Sequence, residues 1–173
     1  MIVNLDRRRK RQLQAAEGYL SLGMPDQALE ALTQVADPGE SAFDCHLLRG
    51  EALRAKLDHH RALDSFRLAH KLKPTSLDAL MGMAWCFKRI DRIDQSIDAM
   101  RLAHQFHPEI PVVLYNLACY HSLSGQKEQA LSWLGRALRM NCKLSKLIPA
   151  ETDFDPLRDD PDFRHLLQLA EEG

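Results

Sequence analysis

Apolar residues recur along this chain at spacings of three and four, the signature of amphipathic helices, and that helical pattern itself repeats every 34 residues from Arg9 to Leu144. Set in register, small residues stand at Ala28, Ala62, Ser96 and Ala130, and bulky apolar ones follow four positions later at Leu32, Phe66, Met100 and Leu134. A second mostly small column holds Val35, Ala69, Ala103 and Ala137. Earlier in each unit Ala16, Gly50, Ala84 and Ala118 precede Tyr19, Leu53, Phe87 and His121 by three residues. Small residues let two helices approach closely, and a large one such as Phe66 fills the space between them. The register carries no insertion or deletion, so the units are 9–42, 43–76, 77–110 and 111–144.

Each unit reads as helix, turn, helix. The turns are predicted near Gly23-Met24-Pro25, Leu57-Asp58-His59, Ile90-Asp91-Arg92 and Ser124-Gly125-Gln126. Connections this short make the two helices antiparallel neighbours. Pro74 and Pro108 close their units as helix-stopping residues. After Leu144 the register fades, and Pro149, Pro156 and Pro161 break the chain into short pieces. Asp160 reads as an N-cap with Pro161 at the first helical position, and Phe163, Leu166, Leu167 and Ala170 share one face of the helix that follows. The segment 145–173 is therefore expected to be a cap covering the apolar face of the last unit. Residues 1–8 are read as a basic arm and the start of the first helix.

The period and the columns resemble the tetratricopeptide repeat family. The second unit matches its pattern best, at Gly50, Ala62, Phe66, Ala69 and Pro74. The resemblance implies an all-α, right-handed superhelix of four antiparallel helical hairpins with a C-terminal capping helix, and a protein-binding role. Departures fall at Gln12 in the first unit, whose terminal proline is displaced to Pro38 beside Gly39. They also fall at His46 and Arg49, where polar groups replace packing residues, and at His121 and Cys142 in the fourth unit. The segment from Asp155 to Phe163 resembles closing segments of other tetratricopeptide proteins.

Composition narrows the remaining classes. No apolar run approaches the roughly 20 residues of a spanning helix, and Met1 to Lys10 runs from Ile2-Val3 straight into charge, unlike a secretory signal. The expectation is a cytoplasmic protein without a membrane segment. Cys45, Cys86, Cys119 and Cys142 form no CxxC pair, so reduced thiols are expected. The net charge of −1 conceals a gradient. Residues 1–11 carry five basic groups against one acidic, the body carries fifteen of each, and the tail from 145 carries three basic against eight acidic. The run Arg7, Arg8, Arg9, Lys10, Arg11 opposes the dipole of the helix it begins, so local helix stability does not account for it. It is expected either to be a solvated, solubilising end or to form a second surface for an acidic protein. Head-to-tail contact with the acidic tail of another copy is a further option. Nucleic acid is disfavoured, because the body is neutral and the tail acidic.

The chain lacks GxGxxG, P-loop, GxSxG and HExxH signatures, and it is read as non-enzymatic, with no catalytic residue, no cofactor and no metal. The competing class is a metal protein or enzyme using His59-His60, read as solvated in a turn, or His104 and His107, three apart at a helix end. The inner face of the stacked hairpins is the better candidate. The resemblance places the first helix of each unit on it. The register then directs Leu13, Glu17 and Leu20 into it, followed by Leu47, Glu51 and Arg54, by Met81, Trp85, Lys88 and Arg89, and by Tyr115, Asn116, Cys119 and Ser122. Leu13, Leu47, Met81 and Tyr115 make one apolar stripe. Its alternative reading is plain core. As a groove it suits an extended or helical peptide, with Trp85 as anchor.

Two uses of the family bear on this face. Relatives that grip chaperone C-termini use Lys, Asn and Arg on the inner helices. The matching positions here hold Leu13, Glu17, Leu48, Asp78 and Gly82 or, one unit later, Leu47, Glu51, Gly82, Val112 and Asn116, of which only Asn116 fits. A carboxylate clamp is therefore not expected. In size and repeat type the chain is also similar to small bacterial adaptors of two kinds. One kind holds a partner segment as a secretion chaperone, and the other accompanies bacterial tubulin-like filaments as a kinesin-light-chain-like protein.

Overall fold

A computed structural model describes residues 2–35 and 39–172, and all regular structure among them is helical. Among the described residues nine α-helices run in order: α1 Ile2–Ser21, α2 Pro25–Thr33, α3 Ala42–Ala55, α4 His59–Leu72, α5 Leu77–Arg89, α6 Ile93–Phe106, α7 Pro111–Leu123, α8 Lys127–Met140 and α9 Pro161–Glu172. Short 3₁₀ segments cover Gly39–Ser41, Cys142–Ala150 and Thr152–Leu157. The chain divides into two compact units between Ile90 and Asp91, at the turn inside the 77–110 repeat. The displaced Pro38 lies outside the described residues.

The predicted turns share one backbone device, repeated at the 34-residue period. Gly23, Leu57, Asp91 and Gly125 all take left-handed φ, at 69°, 61°, 59° and 72°. Three of these turns carry the same pair of closing bonds. Met24 N–H donates to the Tyr19 carbonyl at 2.8 Å, Asp58 N–H to Leu53 at 3.0 Å and Gln126 N–H to His121 at 2.9 Å. A bond of shorter span runs from Gly23, Leu57 and Gly125 N–H to the carbonyl three residues back, each at 3.0 Å. This is a Schellman closure, which satisfies the orphan carbonyls of a helix end while reversing the chain. Each second helix starts at the next residue but one, with Pro25 at the first position of α2 and the Asp58 carboxylate accepting from Arg61 N–H to cap α4. The same economy starts α5 at Ser76, whose hydroxyl accepts from Ala79 N–H, and α7 at Pro111.

In the first unit α1 packs against α2 and α3, and α3 against α4 and α5. One cluster joins Ala16, Ala28, Ala31, Leu32 and Ala52; the other joins Leu53, Ala62, Leu63, Phe66, Cys86 and Phe87. Phe66 is fully enclosed because Gly50 on α3 and Gly82 on α5 face its ring. A Cβ on either would stand 2.7 or 2.6 Å from the ring. Burial pushes the Cys86 thiol up to about 12, which leaves it protonated and inert.

The second unit buries α7 almost completely, between α6, α8 and the segment Thr152–Leu157. Met100, Leu114, Leu117 and Leu134 fill its interior. His121, which stands where an aromatic was expected, is also buried; its Nδ1 lies 3.0 Å from the Gln126 side-chain oxygen. The chain after α8 adds two rings to Tyr115 of α7: Tyr115 meets Phe154 edge-on at 5.6 Å, and Phe154 meets Phe163 at 5.5 Å. Asp160 caps α9 by accepting from Asp162 N–H at 2.9 Å and Phe163 N–H at 3.2 Å. Its carboxylate also takes the Lys127 ammonium at 2.6 Å, which ties the start of α9 to that of α8 and lowers the Asp160 pKa.

Candidate functional site

Within the first unit, α1, α3 and α5 put the inner-face residues on one side. Leu13, Leu47, Glu51, Arg54, Met81, Trp85 and Lys88 are half-buried there, while Glu17 and Arg89 are exposed. Between α1 and α3 lies a cleft of about 360 Å³ lined by Lys10, Leu13, Gln14 and Glu17 from α1 and by Asp44, Leu47 and Leu48 from α3, with Ser41 at its edge. Leu47, Glu51 and Arg54 are spaced four and three apart, so the same helix face leads from the cleft to Trp85.

Trp85 is the centre of a cationic cage. The Arg54 guanidinium sits 5.3 Å and that of Arg89 5.0 Å from its ring centroid, at cation–π range. Glu51 fixes Arg54 through a 2.9 Å bond from Nε. His59 completes the setting edge-on, 5.2 Å away at 72°. This corrects the expectation of a solvated His59: as the first residue of α4 it packs on the tryptophan, and its Nδ1 is buried. His60 is exposed. His104 has a comparable place in the second unit, edge-on to Trp133 at 5.1 Å, and burial followed by the nearby Arg136 lowers its pKa. Both histidines act as ring-packing residues.

Arg7, Arg8, Lys10 and Arg11 are exposed on α1, and Arg9 is half-buried. The Arg9 guanidinium lies over Gly39, where an added Cβ would meet it at 3.3 Å, so one member of the basic run serves packing. Lys10 brings the run to the rim of the cleft.

The fourth repeat departs from the expected groove. Tyr115 is 4% exposed, and Cys119 and Ser122 are 1% exposed. These side chains lie in the core of the second unit, covered by Thr152–Leu157, whose Phe154 sits on Tyr115. Asn116 is half-buried. Tyr115 and Cys119 are therefore removed from the set of open partner-binding residues, because the chain's own closing segment occupies that part of the inner face. Sequence reasoning missed Gln14 and Asp44 as cleft residues and His59 as the support of Trp85. Asp44 stands 34 residues after Lys10, so the register carried that signal.

Residues 112–141 match the tetratricopeptide repeat family. The chain superposes on the structure of a double mutant of MamA RS-1 with a TM-score of 0.77, at 19% identity over 95% of each chain. It superposes on MamA 41-end from Desulfovibrio magneticus RS-1 with 0.72, at 18% identity over 95% of this chain and 96% of that one. PilF of Pseudomonas aeruginosa gives 0.70, at 21% identity over 96% and 78%. The fold is that of tetratricopeptide repeats. The chain matches none of the curated proteins. The columns that carry the resemblance are the ones the tetratricopeptide fold buries: Ala28, Ala62, Ser96 and Ala130 are fully enclosed, as are Phe66, Met100 and Leu134. No helix among the described residues is long and apolar enough to cross a membrane.

Proposed function

We propose that the protein is a non-catalytic adaptor that takes a segment of another protein on the inner face of residues 1–90. The observation that carries this reading is Trp85, a large ring half-buried at the surface and flanked by two guanidinium groups. A desolvated Trp next to Arg is the combination that dominates interface energies. Arg54, Lys88 and Arg89 outnumber Glu51 there, so the favoured segment is apolar and carries an acidic residue at the Trp85 end. The apolar Leu13, Leu47 and Met81 continue the contact. The four 34-residue units and the 145–173 cap form the scaffold, and the reduced thiols suit a reducing, cytoplasmic setting.

Capture of partners by the full chain, followed by titration of the recovered partner against Trp85→Ala, tests this. Loss of at least ~2 kcal/mol, roughly 30-fold in Kd, supports the anchor, and unchanged affinity with an intact fold refutes it. Exposed Arg7, Arg8, Lys10 and Arg11 favour a second reading, in which the partner is an acidic surface such as a tubulin-like filament. Binding that ignores salt and survives neutralisation of Arg7 to Arg11 contradicts it. A chaperone that holds a secreted segment would use the first surface and keep binding after that neutralisation.

A further inference from the structure

We propose that Cys119 of α7 and Glu151 and Asp153 of the closing segment bind a divalent transition cation of the zinc type, which fastens that segment to the last repeat. The ligand atoms of these three side chains lie within 4.8 Å of one another. Cys119 is 1% and Asp153 5% exposed, and Glu151 is half-buried. Two carboxylates gathered beside a thiol in so enclosed a place repel one another, and a bound cation reverses the sign of that interaction.

A second observation points into the same space. The Tyr115 hydroxyl, one helical turn before Cys119, is buried and has no hydrogen-bond partner. Phe154, whose ring meets Tyr115 edge-on at 5.6 Å, directly follows Asp153, so the tyrosine stands beside the segment that carries both carboxylates. Ser122 Oγ, three residues after Cys119 on the same helix, is likewise buried without a partner. Arg158 donates to the Glu151 carbonyl at 2.9 Å, to the Pro149 carbonyl at 3.3 Å and to the Asp155 carboxylate at 2.6 Å. These bonds shape the loop that presents Glu151 and Asp153. The Glu151 carboxylate is further held by Asp153 N–H at 3.2 Å.

The donor set selects the metal. Calcium and magnesium want oxygen shells and gain little from sulfur, whereas zinc takes thiolate and carboxylate together in four-coordinate sites. Three protein ligands would leave the fourth position of such a site to water. Binding forms the S–Zn bond at the expense of the Cys119 S–H bond, and the proton goes to solvent. The histidines take no part.

The test uses the full chain, stripped with chelator, reloaded with zinc and dialysed, with metal counted by atomic emission. In parallel, cobalt(II) replaces zinc so that a thiolate-to-metal charge-transfer band reports sulfur ligation. One zinc per chain is expected, with a cobalt band that Cys119→Ser abolishes and Cys142→Ser, at the exposed cysteine, leaves intact. Glu151→Gln, at a partly exposed position, weakens zinc binding by at least about tenfold with unchanged circular dichroism. Folded wild-type protein that retains no zinc overturns the proposal, as does a band that survives Cys119→Ser. If Cys119→Ser does not fold, Glu151→Gln decides: zinc affinity equal to wild type overturns the site.

Discussion

Gly82→Ala should destabilise the protein although helix propensity says the opposite. Gly82 lies inside α5, where alanine is preferred over glycine by about 1 kcal/mol. A Cβ there would stand 2.6 Å from Cε1 and 2.7 Å from Cδ1 and Cζ of Phe66, about 1 Å inside the usual carbon–carbon contact. The ring has no exposed side to move toward, and Gly50 approaches the same three ring carbons, an added Cβ there standing 2.7 Å from Cε1. Overpacking of this kind costs ~1–3 kcal/mol, and a fully buried ring approached by the backbone of two helices belongs at the upper end. The net loss is about 2 kcal/mol. Urea unfolding followed by Trp85 fluorescence, in a Trp133→Phe background, reads the first unit alone, and the midpoint should fall by about 1 M. Phe66→Leu alone costs about 1–2 kcal/mol, but in that background Gly82→Ala should become neutral or stabilising, a coupling of about 2 kcal/mol. Gly82→Ala as stable as wild type refutes the steric account.

The same structure yields two further outcomes. Leu57 is 71% exposed and holds φ at 61°, a conformation that costs a non-glycine residue about 1–2 kcal/mol. Leu57→Gly should raise thermal stability by about 0.5 kcal/mol after glycine's own entropic cost, Leu57→Ala should not, and a lower Tm for the glycine variant sinks the argument. His121 is fully buried, and desolvation lowers its pKa despite the opposing bond to Gln126; Arg101 adds to the lowering. The unfolded chain therefore binds the proton first, so the stability His121 contributes is complete above about pH 6.5 and is lost as pH falls below it toward the folded pKa. Urea midpoints at pH 7.5 and 5.5 should differ less in His121→Gln than in wild type, and an unchanged difference removes His121 as the cause.

Much of this fold was legible because it is periodic. Each buried column is set by contacts within a unit and with the adjacent one, so Ala62, Phe66 and Ala69 could be placed from the register alone. The turns were legible for a different reason: a left-handed residue is needed once per unit, and Gly23 and Gly125 mark it openly. Leu57 and Asp91 occupy the same position without glycine, and only the period reveals them. What could not be read depends on residues distant in sequence or outside the repeat. His59 was assigned to solvent because its neighbour Trp85 stands 26 residues away on α5. Tyr115 follows Leu47 and Met81 at the 34-residue spacing, and Cys119 follows Glu51 and Trp85, yet both are core, since Phe154 comes from a segment that has no period to follow. The metal-type donor set escaped for the same reason: it combines one repeat residue with two from that aperiodic stretch.

The covering of Tyr115 also bears on what the open part of the inner face accepts. Down the column Leu13, Leu47 and Met81 stay half-buried in the first unit, while their counterpart Tyr115 in the second is sealed by Thr152–Leu157. The sealing residue is an aromatic, Phe154, standing between Asp153 and Asp155 and meeting Tyr115 edge-on. It is held there in part by Arg158, which engages Asp155 and the carbonyls of Pro149 and Glu151. An apolar side chain flanked by acids, received by an aromatic ring, is thus an occupant this column already takes from its own chain. Around Trp85 the arginines belong to the receiving face, and an incoming segment of the same acidic and apolar character would bring carboxylates to them. The closing segment and the proposed partner would then satisfy one physical requirement by the same chemistry. In residues 91–173 that segment is covalently attached, and on residues 1–90 the proposed partner would bring it.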